Sequence, residues 1–380
     1  MNDTVKPFHI VSPGEVIVRM MEYMGWSQTD LAEITGLSDK TVSYIVSDKH
    51  NITADTAVAL ANAFSKSPEF FMNLSANYQL SKRDEKKDDK TELTKAKALM
   101  HKYMPVSEMK KKGWFVSEVS SAAEITNEYE RLFGQRTLPE DLYESNTLGM
   151  AARQTKDDSE YTKYYRTTWF SFARMHAKNI QAMSKTKSTY DALRLKSIAD
   201  KLAAYTLQPD GVERLISDLQ NHAGVHFFVL SHLSKTYLDG AAFLEGGTPF
   251  IVYTGRYDRE DNFWFVIAHE IAHILCHYAF LAHPFLDDME DAKTNRLNKR
   301  EQEADAMAGA YLKQKSVLRY GSQIGRYVTE DRLYRISGAS GVSVSVALGM
   351  LQHAGMVSWK QFSRYKPKVM DKIPKEYIKG

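Results

Sequence analysis

Apolar positions along this chain follow two periods, and the change from one to the other divides it. Over residues 12 to 80, short apolar sets at helical spacing alternate with capping residues, which predicts five short helices. Ser12-Pro13-Gly14-Glu15 is a capping box with proline at the first helical position. Ser27-Gln28-Thr29-Asp30 starts the second helix, Leu31, Ala32 and Ile34 form its apolar face, and Gly36 stops it. Ser38 caps a third helix, Asp39 to Val46, with Val42 and Ile45 inward; Thr53 and Ser67-Pro68 open the last two. Two of these helices joined by a tight glycine turn make a helix-turn-helix. Residues 81 to 90 have no apolar side chain and alternate in sign, as a solvated helix extension or linker does, and Lys110-Lys111-Lys112-Gly113 closes this segment. Residues 116 to 222 return to amphipathic helices, starting near Ala122 and Asp158, then a long one over Tyr190 to Leu207 and another from Gly211 to His222. The aromatic and basic run Tyr161 to Phe170 reads as a helix with an aromatic core face. At His226 the period changes. His226 to Leu230, Gly240 to Leu244 and Pro249 to Thr254 read as strands, with Gly246-Gly247 as a turn. A hydrophobic helix capped by Asp261-Asn262 follows, then a helix over Arg300 to Leu312, an amphipathic one over Ser343 to His353, and a basic tail from Lys366 that reads as mobile. The fold class is therefore mainly α with a small β-sheet, α+β.

Composition narrows this picture modestly. The 380 residues are enough for two or three domains, and 43% hydrophobic with 26% charged residues is the balance of a soluble globular protein. A net charge of +3 does not by itself argue for nucleic acid. One cysteine excludes an internal disulfide framework and suits a reducing cytoplasm, where the protein is expected. The first residues do not begin a signal peptide, and no apolar run reaches the ~20 residues of a membrane span, so no membrane partner is expected.

The chemistry concentrates between residues 263 and 275. Phe263-Trp264-Phe265-Val266-Ile267-Ala268-His269-Glu270-Ile271-Ala272-His273-Ile274-Leu275 is apolar except for two histidines and a glutamate, groups that are costly to bury without a task. Residues four apart stack on one face of a helix, so His269 and His273 can reach one metal ion. Glu270 lies about a third of a turn round, placed to work on a water rather than to ligate. This is the H-E-x-x-H arrangement of zinc peptidases: neutral imidazoles hold Zn²⁺, the ion acidifies a water, and the glutamate takes its proton.

A catalytic zinc keeps three protein ligands and an open position. Cys276 stands where one zincin class has a glycine, so that class is excluded and the helix is expected to run on. His277 reads as second shell or packing. Glu301 and Asp305 lie four apart on the later helix, so one can ligate while the other bonds the free nitrogen of a ligating histidine. Glu303 is the rival ligand. Tyr311, Tyr334 and His353 are candidate donors to a transition-state oxyanion. The Gly240–Phe243 strand is a candidate edge for an extended peptide.

These residues resemble the ImmA/IrrE family of metallopeptidases, which pairs H-E-x-x-H with a later E-x-x-A-N/D-x-F-A helix, here with Met307 in place of the phenylalanine. The likeness covers roughly residues 222 to 312, with an outer bound at 365. It implies a gluzincin-like zinc site with His269, His273 and Glu301 as ligands, Glu270 as general base, and regulatory proteolysis, often of a DNA-binding repressor. At the other end, S-Q-x-x-L-A-x-x-x-G-L-S-x-x-x-V-S over Ser27 to Ser43 resembles the XRE-type repressors, and Ile52 to Ala57 with Ser67 to Leu74 look like the HigA antitoxin branch. That resemblance implies that Gln28 holds a phosphate and that Asp39, Lys40, Thr41, Ser43 and Tyr44 face the major groove of double-stranded operator DNA, in a homodimer formed through this domain. Asp39 and Asp48 leave that face only weakly basic, so non-specific affinity should be modest.

The expected organisation is a helix-turn-helix domain at 1–80, a charged linker at 81–115, a helical region at 116–222, a zinc peptidase core at 223–325 and a helical region with a basic tail at 326–380. The expected function is a DNA-binding regulator that cleaves a repressor- or antitoxin-like protein. The alternative is a non-catalytic antitoxin-type repressor whose zinc domain is structural or senses a ligand, its site closed by Cys276 or His277.

Overall fold

The computed structural model describes residues 11–84, 89–115, 119–140, 160–183, 189–282, 296–323 and 328–379. The expected helix start at Asp158, the middle of the charged run at 85–88, the junction at 116–118 and the boundary at 325/326 lie outside these residues. The chain forms two compact units, Met1–Lys95 and Ala96–Gly380.

The first unit holds five helices: α1 (Pro13–Met24), α2 (Gln28–Thr35), α3 (Asp39–Val46), α4 (Ala54–Phe64) and α5 (Pro68–Asp84). The hydroxyls of Ser12, Ser27, Ser38 and Thr53 accept backbone N–H groups at the first four starts, and Gly25 and Gly36 end α1 and α2 in the left-handed region. Ile17, Leu31, Val42, Ile45, Leu60 and Phe71 form the core. Ile34 departs from the expected apolar face, with 48% of its surface exposed. Its neighbours Leu31 and Ala32 fill the inward arc, and one turn of α2 cannot also bury position 34. Asp48 is half-buried: its carboxylate accepts the Gly14 N–H at 2.8 Å and ties the end of α3 to the start of α1. A Cβ at Gly14 would lie 2.3 Å from the Val46 carbonyl, so only glycine permits this approach.

The segment expected to be a charged linker is helical, with α5 running to Asp84, then α6 (Asp89–Tyr103) and α7 (Val106–Lys111). From Met100 on it is core: Met100, Tyr103, Met104, Met109 and Trp114 are buried. The charge run hid this because the apolar residues come only after it.

In the second unit a three-stranded sheet lies between helical layers. β1 (His226–Val229), β2 (Gly240–Glu245) and β3 (Thr248–Tyr253) are ordered β1-β3-β2, with β1 parallel and β2 antiparallel to β3. Gly246 and Gly247 both have positive φ, 54° and 80°, as a two-residue type I′ hairpin requires. Phe227, Val229, Ala242, Ile251 and Tyr253 share one core with the helices that carry His269 and Glu301. On the other face Phe170 packs edge-on against Phe243 at 5.1 Å, and Phe170 belongs to α9 (Glu160–Met183), which follows α8 (Ala122–Phe133). Trp169, Phe170 and Phe172 are buried, as the aromatic core face predicts. The helix expected over 190–207 is interrupted at Lys201 into α10 (Ala192–Asp200) and α11 (Leu202–Thr206). Leu202, Ala203, Tyr205 and Thr206 are all buried, more than one face of a straight helix can turn inward. α12 (Gly211–Asn221) then leads into β1.

The central helix, α13 (Glu260–Cys276), starts at Arg259 rather than at an Asp261-Asn262 cap. No side chain caps it; the Glu260 N–H donates to the Pro367 carbonyl at 3.0 Å. The tail is therefore not mobile. Lys366 pairs with buried Asp261 at 2.7 Å, Lys372 with Glu260 at 3.1 Å, and the N–H groups of Val369 and Met370 donate to Asp258, each at 2.9 Å. Three acidic residues at a helix start draw the basic residues onto them, and Ile378 then pairs with Val229 beside β1. Beyond α14 (Tyr278–Ala282), α15 (Arg296–Tyr311) packs along α13 through buried Ala304 and Ala308, followed by α16 (Gln314–Gln323), α17 (Glu330–Ser340) and α18 (Val344–His353). Among the described residues no helix is long and apolar enough to cross a membrane.

Candidate metal centre and nucleic-acid interface

One turn of α13 sets the imidazoles of His269 and His273 together, with their Nε2 atoms 2.9 Å apart. Small residues on α15 let that helix close in, and it brings Glu301: Oε2 is 3.3 Å from His269 Nε2, and Oε1 is 3.4 Å from His273 Nε2. The three donor sets lie within 4.8 Å of one another, and both histidines are buried. Asp305, one turn further along α15, meets His269 Nδ1 at 2.9 Å. A carboxylate accepts, so Nδ1 carries a proton and the His269 Nε2 atom faces the cluster.

The electrostatics fit a cation there. Burial disfavours a charged His269 ring, but the Asp305 and Glu301 carboxylates outweigh it and push the imidazole up to about 10. Burial works against a charged Glu301 too, yet the two histidines hold it well below the usual carboxylate range. Glu301 Oε1 is buried without a hydrogen-bond partner among the described residues. Two facing ring nitrogens and a carboxylate with an unused oxygen match the N/O donor set of a divalent ion such as zinc, which would replace the proton that the carboxylates hold on His269 Nε2.

Glu270 is buried against β2, and neither of its oxygens has a hydrogen-bond partner among the described residues. Desolvation pushes its carboxyl up to about 8. Gly240 makes room for it: a Cβ there would lie 3.1 Å from Glu270 Oε1 and 2.5 Å from Val266 Cγ1. Thr254 N–H bonds the Asp239 carbonyl, so by alternation the backbone groups of Gly240, Ala242 and Leu244 point away from β3, along the outer edge beside Glu270.

The helix does not run on past Cys276. It ends there because His277 leaves helical geometry, its N–H still donating to the His273 carbonyl at 2.8 Å. The His277 ring folds back between His273 and Glu303, which is why Glu303 is not in the donor cluster. Cys276 is turned onto Met307, with sulfurs 2.9 Å apart. Of the three oxyanion candidates, Tyr334 packs on Tyr365 at 5.7 Å, and the Tyr311 hydroxyl is buried without a partner among the described residues. His353 lines a cavity of about 290 Å³ together with Phe265, Asp305 and Met350.

In the first unit Gln28 is exposed at the start of α2, and Asp39, Lys40 and Ser43 are exposed on α3. Thr41 and Tyr44 are half-buried. The Thr41 hydroxyl lies 2.8 Å from Ser38 Oγ at the cap, and the Tyr44 ring stacks on His50 at 5.2 Å beneath Lys40. His50 was not legible as part of this surface, because its place depends on the turn after α3.

A helix-turn-helix and a peptidase-like donor pocket on one chain fit a transcriptional regulator with an appended peptidase-like domain. A family model described as helix-turn-helix matches residues 19–71, and one described as the IrrE N-terminal-like domain, a peptidase family, matches residues 211–352. A Haemophilus influenzae protein named as an uncharacterized HTH-type transcriptional regulator is 31% identical over 93 residues, which is 24% of this chain and 87% of the relative. The chain belongs to the XRE-type helix-turn-helix transcriptional regulators, and its second unit carries an ImmA/IrrE-like domain.

Proposed function

We propose that the protein is a regulator whose second unit is a zinc-dependent endopeptidase, with His269, His273 and Glu301 holding the ion and Glu270 as general base. The observation that carries this is the pairing of a three-donor cluster with a buried, unpartnered carboxylate one residue after the first ligand. Bound zinc would supply Lewis acidity, acidifying a water and polarising the scissile carbonyl. Glu270 then takes the proton from the attacking water at a carboxylate oxygen and delivers it to the departing amine nitrogen. Its dry surroundings favour the protonated form between those two transfers. Asp305 orients the His269 ring. The outer edge of β2 offers Gly240, Ala242 and Leu244 to the backbone of an extended peptide, which suits a protein substrate of the repressor or antitoxin kind. The first unit, as a homodimer, would place this activity at an operator, with Gln28 on a phosphate and Asp39, Lys40, Thr41, Ser43 and Tyr44 toward the major groove. The setting of such a regulator is the cytoplasm.

A structural or sensing zinc needs a fourth protein ligand. Cys276 is spent on Met307 and His277 on Glu303, so the open, catalytic reading is favoured. Glu270→Gln should keep stoichiometric zinc and retain the substrate in a pull-down without cutting it. Cleavage of the captured protein at the parent rate by this variant refutes the assignment.

A further inference from the structure

Each metal-facing histidine needs its proton on the far nitrogen, and the two are supplied differently. Asp305 does this for His269 directly. Behind His273 stands a chain of two contacts: His273 Nδ1 is 3.1 Å from His277 Nδ1, and His277 Nε2 is 3.2 Å from Glu303 Oε2. Two ring nitrogens that face each other can share only one proton, so the direction of that bond must be set from outside the pair. On the far side of His277, among the described residues, the group that meets its Nε2 is Glu303. Its carboxylate oxygen, 3.2 Å from His277 Nε2, accepts and cannot donate. His277 therefore carries its proton on Nε2 and presents a bare Nδ1. His273 Nδ1–H donates to that atom, which leaves His273 Nε2 bare toward His269 and Glu301. Reverse the last bond, and His273 would point a proton at the metal position.

We propose that Glu303, acting through His277, is a positioning residue that selects the metal-binding tautomer of His273 from two side chains away. The proposal rests on the zinc-site reading above. The geometry is specific to the end of α13: His277 reaches back over the last turn only because the helix stops at Cys276. The arrangement also has an unusual exposure gradient. His273 is 1% and His277 9% exposed, whereas the Glu303 side chain is 49% exposed and lies 3.8 Å from Lys299. A surface carboxylate thus governs a buried ligand.

The test uses the full-length protein and zinc itself, with affinity measured by competition against a chromophoric chelator and fold checked by the thermal melt of the metal-free form. Glu303→Ala should weaken zinc roughly tenfold to a hundredfold with little change in that melt. Glu303→Gln, whose amide oxygen can still accept from His277 Nε2–H, should restore most of the affinity. Selective ¹⁵N labelling of histidine should show the His273 Nδ1–H form in the parent and in Glu303→Gln, and its loss in Glu303→Ala. Glu303→Ala binding zinc within twofold of the parent, or Glu303→Gln failing to rescue, overturns the proposal while leaving the site intact, provided Glu301→Ala loses zinc. If Glu301→Ala binds zinc as tightly as the parent, the zinc-site reading itself falls, and the proposal with it.

Discussion

At the scale of single residues, the space around Glu270 depends on one missing methyl group. Gly240→Ala would drive a Cβ to 2.5 Å from Val266 Cγ1 and crowd Glu270. The second unit should lose about 1–3 kcal/mol in a denaturant melt, and cleavage should fall more steeply than zinc content. His176 reports on the opposite face of the sheet. Burial between Phe172 and Phe228, with smaller contributions from Lys379 and Arg131, pushes its imidazole down to about 4 from 6.5. The folded pKa is the lower one, so the unfolded chain takes up the proton first. Stability from this site is complete above about pH 6.5, falls as the pH drops toward 4 and levels off below. Discounted for its partial exposure, the effect is about 1 kcal/mol. His226 and His232 are lowered by burial too and add the same sign. His176→Phe should flatten part of the loss between pH 6.5 and 4 in urea titrations, and an unchanged slope would contradict the assignment. The residue scale is also where the sequence was most readable. His269, Glu270 and His273 are neighbours on one helix, so their spacing alone places them. His277 and Glu303 were not readable as a linked pair, because they lie 26 residues apart and meet only where the helix ends at Cys276.

At the scale of elements, helix α13 is held at both ends by distant chain. Its first turn carries Glu260 and buried Asp261, and Lys366 enters with a side chain only 7% exposed. Burial lowers the Lys366 pKa, while Asp261 pulls it back up. Lys366→Met leaves Asp261 with Arg259 alone, at 3.1 Å. The cost should be about 2–3 kcal/mol, below that of fully orphaning a buried charge, and should appear in the melt of the second unit only. No loss would mean that Arg259 suffices. Helices whose caps are local, such as α1 to α4, were legible from Ser12, Ser27, Ser38 and Thr53. The start of α13 was not, since its first N–H is satisfied from Pro367. The same long reach explains why the tail read as mobile: Val369 and Ile373 look like isolated apolar residues among lysines until the acidic helix start is placed beside them.

For the whole molecule, the two units have separate hydrophobic cores with no residue in common. Removing zinc with a chelator should therefore abolish peptide cleavage while leaving operator affinity and its salt dependence unchanged, as gel-shift titrations would show. A parallel loss of both would mean that the metal also supports the DNA-reading unit. The α+β class and the helix-turn-helix were visible from the periods of the chain. The layering of α9 against the sheet was not, because amphipathic helices carry no mark of which sheet face they will cover.

The attachment of residues 366–379 to α13 and β1 has a consequence for the order of events during synthesis. Glu260 leaves the ribosome well before Lys372, its partner 112 positions downstream, and at ~5–20 residues per second that interval is on the order of 5–20 seconds. The hydrophobic core of the first unit draws its residues from Ile17 to Phe71. That core can thus close while the second unit is still without the residues that anchor its central helix. Newly made molecules would pass through a phase in which the helix-turn-helix is folded and α13 is not yet held at its start.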